Sequence, residues 1–339
     1  MPKTFTDLAR HALHGPTMGT RWSALFHMPP QFDEKPVQAA MAAAVAEVDA
    51  QMSTWKPDSD LMRLNAAAPD AWVAVPAQLL VVLEAALHVG RASGGAFDIG
   101  VGDVVAAWGF GPAAANEAAI RRALRCRRDP AHQVLELDLG LGRVRKHAPL
   151  MLDLSGIAKG YAVDRLAEVA LGFGVPSALT AIDGELRATG LQPDCTAWTV
   201  AVERPDHAAR APHAMIEMHD AAIATSGDYR HWVVVGDRRL AHTMDPVRGG
   251  PLAVSPASVT VVAATCMMAD AWATALMVSG SVEGADLARK HDLDVLFIDR
   301  DGNQFRETRV GRLFESHTKP SRLADAERCD SGRSCCITA

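Results

Sequence analysis

Apolar residues recur three and four positions apart over 36–53, 77–92, 116–126, 157–171, 267–278 and 282–291, the spacing of one helix face. Pro36 suits the first turn of the first of these, where its missing N–H costs nothing. Gly94-Gly95 and Gly172 are stop signals after the second and the fourth. Short β-branched runs at 134–137, 198–203, 215–218, 232–235, 259–264 and 295–298 read as strands. The middle third is rich in strands without regular helices between them, so strict βαβ alternation fails. The pattern predicts an α+β fold with a largely antiparallel sheet and packed helices. It gives no repeat and no low-complexity linker. Beyond about residue 320 the chain is polar and aperiodic, which predicts one domain over 1–320 and a flexible tail over 321–339.

Composition narrows this further. The 339 residues allow one large or two ordinary domains at about 150 residues each, and 49% hydrophobic content suffices for a sizeable core. A formal net charge of −6 argues against nucleic acid as a partner. The densest basic run, RRALRCRR at 121–128, reads as a solvated helix face. Apolar stretches such as 77–89 are broken by Glu or His and are too short to span a bilayer, so no transmembrane segment is expected. The first twenty residues show no apolar core or small-residue cleavage site, which reads as cytoplasmic; a removed leader would make the protein periplasmic. Cys126, Cys195 and Cys266 stand singly, and Cys329, Cys335 and Cys336 crowd the end without zinc-ligand spacing, a usage that fits a reducing compartment.

Four segments carry candidate chemistry. In LDLSGIAKGYAVD (152–164) a short apolar strand reaches Asp153, and a small-residue turn at Ser155 and Gly156 opens a helix. Backbone N–H groups there suit an anion such as a diphosphate, and Lys159 lies one turn inside. A capped helix with a surface lysine is the plainer reading of the same residues. In ADAWAT (269–274), Asp270 and Thr274 are four residues apart on one helix face and both offer the oxygen that Mg²⁺ prefers. An ordinary Asp near a helix start and a Thr bonded to its own helix would look the same. ATSGDY (224–229) and AHTMDPVRGG (241–250) read as strand ends running into polar loops, with His242 and Asp245 as acid–base candidates. The Gly-rich GGAFDIGVGDVVAAWGFG (94–111) brings Phe97, Trp108 and Phe110 near a turn, where they can stack on a ring or simply pack. GxGxxG, Walker A, HExxH and GxSxG are absent, which disfavours dinucleotide-fold, P-loop, zinc-protease and triad-hydrolase chemistry.

Taken in order, these segments with TMGT (17–20) and STWKPDSDLMRLN (53–65) resemble the ApbE flavin transferases over roughly residues 15–298. The resemblance implies two lobes around an FAD cleft. It implies transfer of FMN from FAD to a Thr or Ser hydroxyl of a target flavoprotein, with Mg²⁺ required and AMP released. Carried over by motif, the metal shell is the Gly156 carbonyl with Asp270 and Thr274. FAD contacts fall on Met18, Trp55, Ala96, Phe97, Asp98, Asp153, Lys159 and Met244. Lys159, His242 and Asp245 take the catalytic roles: Lys159 adds positive charge, and either of the other two serves as base. Some members hydrolyse FAD to FMN and AMP; a flavin carrier without turnover is a further alternative. Self-modification at Ser331 or Ser334 in the tail is another hypothesis. The chain departs from the family pattern at Trp55, more often Tyr, at Asp183 in place of a Gly, and at Arg248 in place of a small hydroxyl residue. The family's usual lipid-anchored leader is not seen.

Overall fold

A two-residue turn opens the fold by joining β1 (Ala9–Thr17) to β2 (Thr20–Met28). The computed structural model describes residues 8–206, 210–230, 232–235, 238–302, 304–315 and 337–338. Helices α1 (Lys35–Met52) and α2 (Asp60–Ala66), β3 (Trp72–Ala74) and α3 (Ala77–Ala92) follow. Next come a 3-10 turn (Ile99–Val101), α4 (Gly102–Ala107), α5 (Glu117–Ala123), α6 (Ala131–Val134), β4 (Leu135–Asp138) and β5 (Arg143–Lys146). Helix α7 (Ala158–Gly172) then leads into β6 (Ala178–Ile182), β7 (Glu185–Thr189), β8 (Trp198–Glu203), β9 (Pro212–Met218) and β10 (Ala221–Gly227). The short pairs β11 (Trp232–Val235) with β12 (Arg238–Ala241) and β13 (Met244–Asp245) with β14 (Gly250–Pro251) come before β15 (Ser258–Ala263). The chain continues through α8 (Cys266–Lys290), β16 (Asp294–Asp301), β17 (Gln304–Val310), α9 (Arg312–Glu315) and β18 (Ile337–Thr338).

The main sheet has eight strands in the order β1-β2-β6-β7-β10-β15-β16-β17, every neighbouring pair antiparallel. The expected α+β, largely antiparallel layout is therefore found. An antiparallel sheet often leaves one face in water, but this one is covered on both. On one face Trp22, Phe26, Ile182, Val259, Val261 and Phe297 join the residues of α1, α3, α7 and α8 in the larger core. From the other, Leu25, Leu179, Leu186, Ile223, Leu296 and Ile298 pack on Trp198, Val200 and Ile216 of β8–β9 and on Phe314.

Helix α8 contains the two expected helices, broken at Gly280 (φ 78°, ψ 171°), where nothing crowds the missing side chain. The helix expected over 116–126 ends earlier, at Ala123. The Arg128 guanidinium folds back to donate to the Ala123 carbonyl at 2.9 Å and the Cys126 carbonyl at 3.3 Å, turning the chain away. The tail expected over 321–339, Ser331 and Ser334 included, lies outside the described residues apart from Ile337 and Thr338, which pair parallel with β8. No described helix is long and apolar enough to cross a membrane.

Candidate active site

The segments that resemble the family converge on one cleft of about 750 Å³. Its walls include Met18, Ala96, Phe97, Asp98, Asp153, Gly156, Lys159, His242, Met244, Asp270 and Thr274. Of the sequence-derived site residues, only Trp55 and Asp245 do not line it.

The floor is set by the crossing of α7 and α8. A Cβ on Gly160 would meet the Cys266 carbonyl oxygen at 2.3 Å, so the two backbones approach as closely as they do because this residue has no side chain. The Gly160 amide donates to Asp270 Oδ2 at 3.0 Å, fixing the carboxylate of one helix on the backbone of the other. Asp164, one turn further along α7, accepts the Cys266 and Met267 amides at 2.9 Å each and pairs with Arg187 at 2.7 Å. Thr265 caps the same helix end by accepting the Met268 amide. The start of α8 is thus held by side chains from α7 and from its own cap.

Asp270 and Thr274 project from α8 as their spacing predicts, and a Cβ built on Gly156 would meet Thr274 Oγ1 at 2.9 Å. The Gly156 backbone and the Thr274 hydroxyl are therefore neighbours, and Ser226 Oγ, from the ATSGDY segment, lies 3.4 Å from that hydroxyl. Burial, and then the nearby Glu185 carboxylate, push the Asp270 carboxyl up to about 7. Glu185 is buried and keeps Oε2 without a hydrogen-bond partner, while its Oε1 accepts from Lys159 at 2.7 Å. Crowded buried carboxylates, one of them with an orphaned oxygen, and a hydroxyl in the same cleft are hard oxygen donors of the kind that suit a divalent cation such as Mg²⁺. Among the described residues no cluster of three or more His, Cys, Asp or Glu is placed to hold a metal, here or elsewhere.

Lys159 lines the cleft but is not a lone cation. Besides Glu185 it faces Asp183 Oδ2 at 3.8 Å. Burial pulls its ammonium pKa down, yet Glu185, Asp270 and Asp183 outweigh that and raise it, so it stays charged. Asp183 occupies the left-handed region (φ 54°), where a Gly is the easiest occupant and Asp one of the few tolerated alternatives. The departure from the family pattern thus keeps the backbone path and adds a carboxylate to the cleft wall.

Most amides around the start of α7 are already engaged, which narrows the expected open anion site. The Ile157 and Ala158 amides donate to the Leu154 carbonyl, Ser155 donates to Asp153 Oδ1 at 2.8 Å, and Gly160 is committed to Asp270. What the helix start offers an anion is chiefly its dipole and Lys159. Asp153 is buried, which raises its carboxyl pKa; the strand expected to carry it is not formed, and the segment before it is held by Asn65 instead. The Asn65 amide group donates to the Leu152 carbonyl at 2.9 Å and accepts the Leu152 amide at 2.7 Å, so one side chain pairs as a strand would. This gives the 53–65 segment a supporting role.

Met18 sits with φ 45° beside Gly19 at φ 73° in the β1–β2 turn, a conformation a Met side chain rarely takes. Backbone held in a sparsely populated region concentrates at ligand sites, and this turn does present Met18 to the cleft. Phe97 is buried in the lining, and Asp98 Oδ1 accepts the Gly100 and Ala131 amides, so its carboxylate shapes the wall. Trp108 Nε1 donates to the Gly249 carbonyl at 3.3 Å and braces the 242–250 loop. His242 lines the cleft with its ring centroid 6.4 Å from that of Phe110.

Two sequence-derived candidates stand outside the lining. Trp55 is 63% exposed and outside the lining, in a turn where its amide donates to Ser53 Oγ at 3.1 Å. Asp245 Oδ1 accepts the Val247 and Arg248 amides at 2.9 and 3.0 Å, which commits that oxygen to the turn. Several lining residues carried no assigned role in the sequence: Glu185, Ser226, Tyr229 and Arg230. Glu185 had a signal in the acidic residue of AIDGELRATG. The Tyr229 phenol donates to buried Glu203 at 3.2 Å, and burial pushes its pKa up to about 12.

With the geometry in hand, comparison with known proteins is direct. A family model described as the ApbE family matches residues 18–297. The chain is 36% identical over 297 residues to the FAD:protein FMN transferase of Vibrio cholerae serotype O1, covering 87% of this chain and 89% of that protein. It is 32% identical over 302 residues to the FAD:protein FMN transferase of Escherichia coli strain K12, covering 87% and 85%. The solved Flavin Transferase ApbE from Vibrio cholerae matches with a TM-score of 0.78 at 34% identity, covering 89% of this chain and 97% of that one.

Proposed function

This chain belongs to the ApbE family and is a flavin transferase, and from that premise we propose that it moves FMN from FAD to a Thr or Ser hydroxyl of a target flavoprotein, with Mg²⁺ required and AMP released. One juxtaposition supports the finer reading: Asp270, Thr274 and Gly156 line the same cleft as Lys159, with the Gly156 backbone against the Thr274 hydroxyl, and the cleft is large enough for a dinucleotide. When bound there, Mg²⁺ supplies positive charge to the diphosphate and polarises the phosphorus under attack.

The chain's own residues do the rest. Lys159 and the positive end of α7 offset phosphate charge in a buried setting. Met18, Phe97 and Met244 give apolar surface for the rings. The acceptor oxygen bonds to the FMN phosphorus while the phosphorus–oxygen bond to AMP breaks, and the hydroxyl proton passes to a ring nitrogen of His242. Asp245 positions His242 by fixing the turn that follows it.

The deciding measurement is AMP release from FAD with Mg²⁺ or EDTA, with and without a Thr-containing flavoprotein acceptor. AMP only with Mg²⁺, together with FMN mass gained by the acceptor, is the expected result. Equal AMP without acceptor and no protein mass gain would make the enzyme an FAD pyrophosphatase.

Asp183 gives a second prediction. Asp183→Gly removes a carboxylate that faces Lys159 and relaxes a left-handed backbone position. FAD should bind more tightly, with a KM lowered about threefold to tenfold, because an incoming diphosphate meets one negative charge fewer. An unchanged or higher KM would show that Asp183 does not oppose the substrate.

A further inference from the structure

The arginine run at 121–128 plays no part in the transfer chemistry, and the structure divides it. Arg128 is structural: its guanidinium donates to Asp103 Oδ2 at 2.8 Å and to the Ala123 carbonyl. Arg121 pairs with Glu117 one turn back. Arg122, Arg125 and Arg127 are exposed, and among the described residues no ion pair holds them. Arg248, which stands where the family favours a small hydroxyl residue, is likewise exposed and outside any ion pair among the described residues.

Two independent anchors tie these arginines to the cleft wall. A Cβ on Gly249 would meet the Ala123 carbonyl oxygen at 2.3 Å, and one on Gly250 would meet Leu124 Cδ2 at 3.3 Å, so the 245–250 turn lies directly on the end of α5. That turn follows His242 and Met244 and contributes Pro246 to the cleft. The second anchor is the Arg128–Asp103 pair, which holds the run to α4, whose Val105 also lines the cleft. Leu124 (52% exposed) and Val247 (88% exposed) give this face uncovered aliphatic surface. Its sign is opposite to that of the chain, which carries a net −6.

We propose that this face is where the target flavoprotein docks, and that it recognises acidic residues flanking the acceptor hydroxyl. The inference rests on the reading that the acceptor is a protein, since water needs no docking face. Exposed guanidinium groups pair bidentately with carboxylates. Clustered beside a reaction cleft, they steer an acidic partner towards it in a salt-dependent way. The exposed Leu124 and Val247 add contact that salt does not screen.

The test uses the full chain and short fluorescein-labelled peptides with a central Thr flanked by Asp, Ser or Lys, read by fluorescence anisotropy. The Asp-flanked peptide is expected to bind most tightly, with an affinity that falls steeply as salt rises. A variant combining Arg122→Glu, Arg125→Glu, Arg127→Glu and Arg248→Glu should bind it at least about tenfold more weakly. A matching set of Arg→Ser changes should show a smaller loss in the same direction, which guards against a fold damaged by charge reversal. FAD affinity should be retained in the Arg→Ser set and should fall less than peptide affinity in the charge-reversed one, because none of the four residues lines the cleft. Equal wild-type affinity for Asp- and Ser-flanked peptides, or a charge-reversed variant that binds as the wild type does, would overturn the proposal. Peptide binding as expected without FMN transfer by the wild type would count against the transfer reading alone.

Discussion

Asp270→Ala should lower Mg²⁺-dependent AMP release by about a thousandfold, the loss expected when a buried carboxylate that fixes a catalytic cation is removed. Asp270 is 4% exposed and anchored by the Gly160 amide, so its carboxylate is held in one place. Asp270→Asn is the sharper variant, because its amide oxygen can still accept from Gly160 while the charge is lost. Comparable loss in both variants, with far-ultraviolet circular dichroism unchanged, would assign the effect to charge. Full activity in either would remove Asp270 from the metal shell.

The same carboxyl predicts a pH signature. Its folded pKa, pushed up to about 7, lies above that of an unfolded Asp. In the metal-free protein its contribution to stability is therefore fully present below the unfolded pKa and is lost as pH rises to about 7. A cation binds the ionised form, so the gain in Tm on adding Mg²⁺ should grow as pH rises towards 7 and then level off. At a hundredfold excess over Kd that gain corresponds to about 2.7 kcal/mol. A gain in Tm that does not vary between pH 5 and 8 would separate Asp270 from cation binding.

Gly160→Ala is expected to damage fold and site together. The added carbon would stand 2.3 Å from the Cys266 carbonyl oxygen and 2.8 Å from Asp270 Cβ. Both neighbours belong to a buried helix whose start is pinned by Asp164, so neither can retreat cheaply. Overpacking of this kind costs about 3 kcal/mol or more, and it displaces Asp270 from the Gly160 amide at the same time. Calorimetry should show Tm lowered by roughly 5 °C or more, with Mg²⁺ activation weakened in the protein that remains folded. Gly172→Ala is the matched control. It lies at the end of the same helix with nothing within 4 Å of the added carbon, and helix propensity predicts a neutral or slightly stabilising effect. Equal losses at both positions would refute the idea that the α7–α8 crossing is set by Gly160.

How much of this was legible in the sequence differs by element. Helices α1, α3, α7 and α8 announced themselves through apolar spacing, because each buries one face in the larger core. Of the eight strands in the main sheet, β15 and β16 stood out by their β-branched content, whereas β1, β2, β6, β7, β10 and β17 did not. The reason is physical. Strands such as ALTAI in β6 and AAIATSG in β10 are built from small residues and, in β6, buried on both faces, so they show neither alternation nor bulk. Nor could Trp55 be placed: an aromatic within a recognisable motif gives no sign of which way a turn will carry its ring.

By itself the sequence determined the chemistry on offer: oxygen ligands one helical turn apart at Asp270 and Thr274, a lysine just inside a helix, and loops bearing His242 and Asp245. Those inferences depend on covalent spacing and helix geometry, which are local. Tertiary structure alone decided which groups meet. It brought Glu185 and Asp183 onto Lys159, closed Gly156 onto Thr274, and turned Asp245 into a turn-former. Each of these contacts joins segments far apart in the chain or depends on a backbone angle set by packing. The raised pKa values of the Glu185 and Asp270 carboxyls follow from burial that no local pattern encodes.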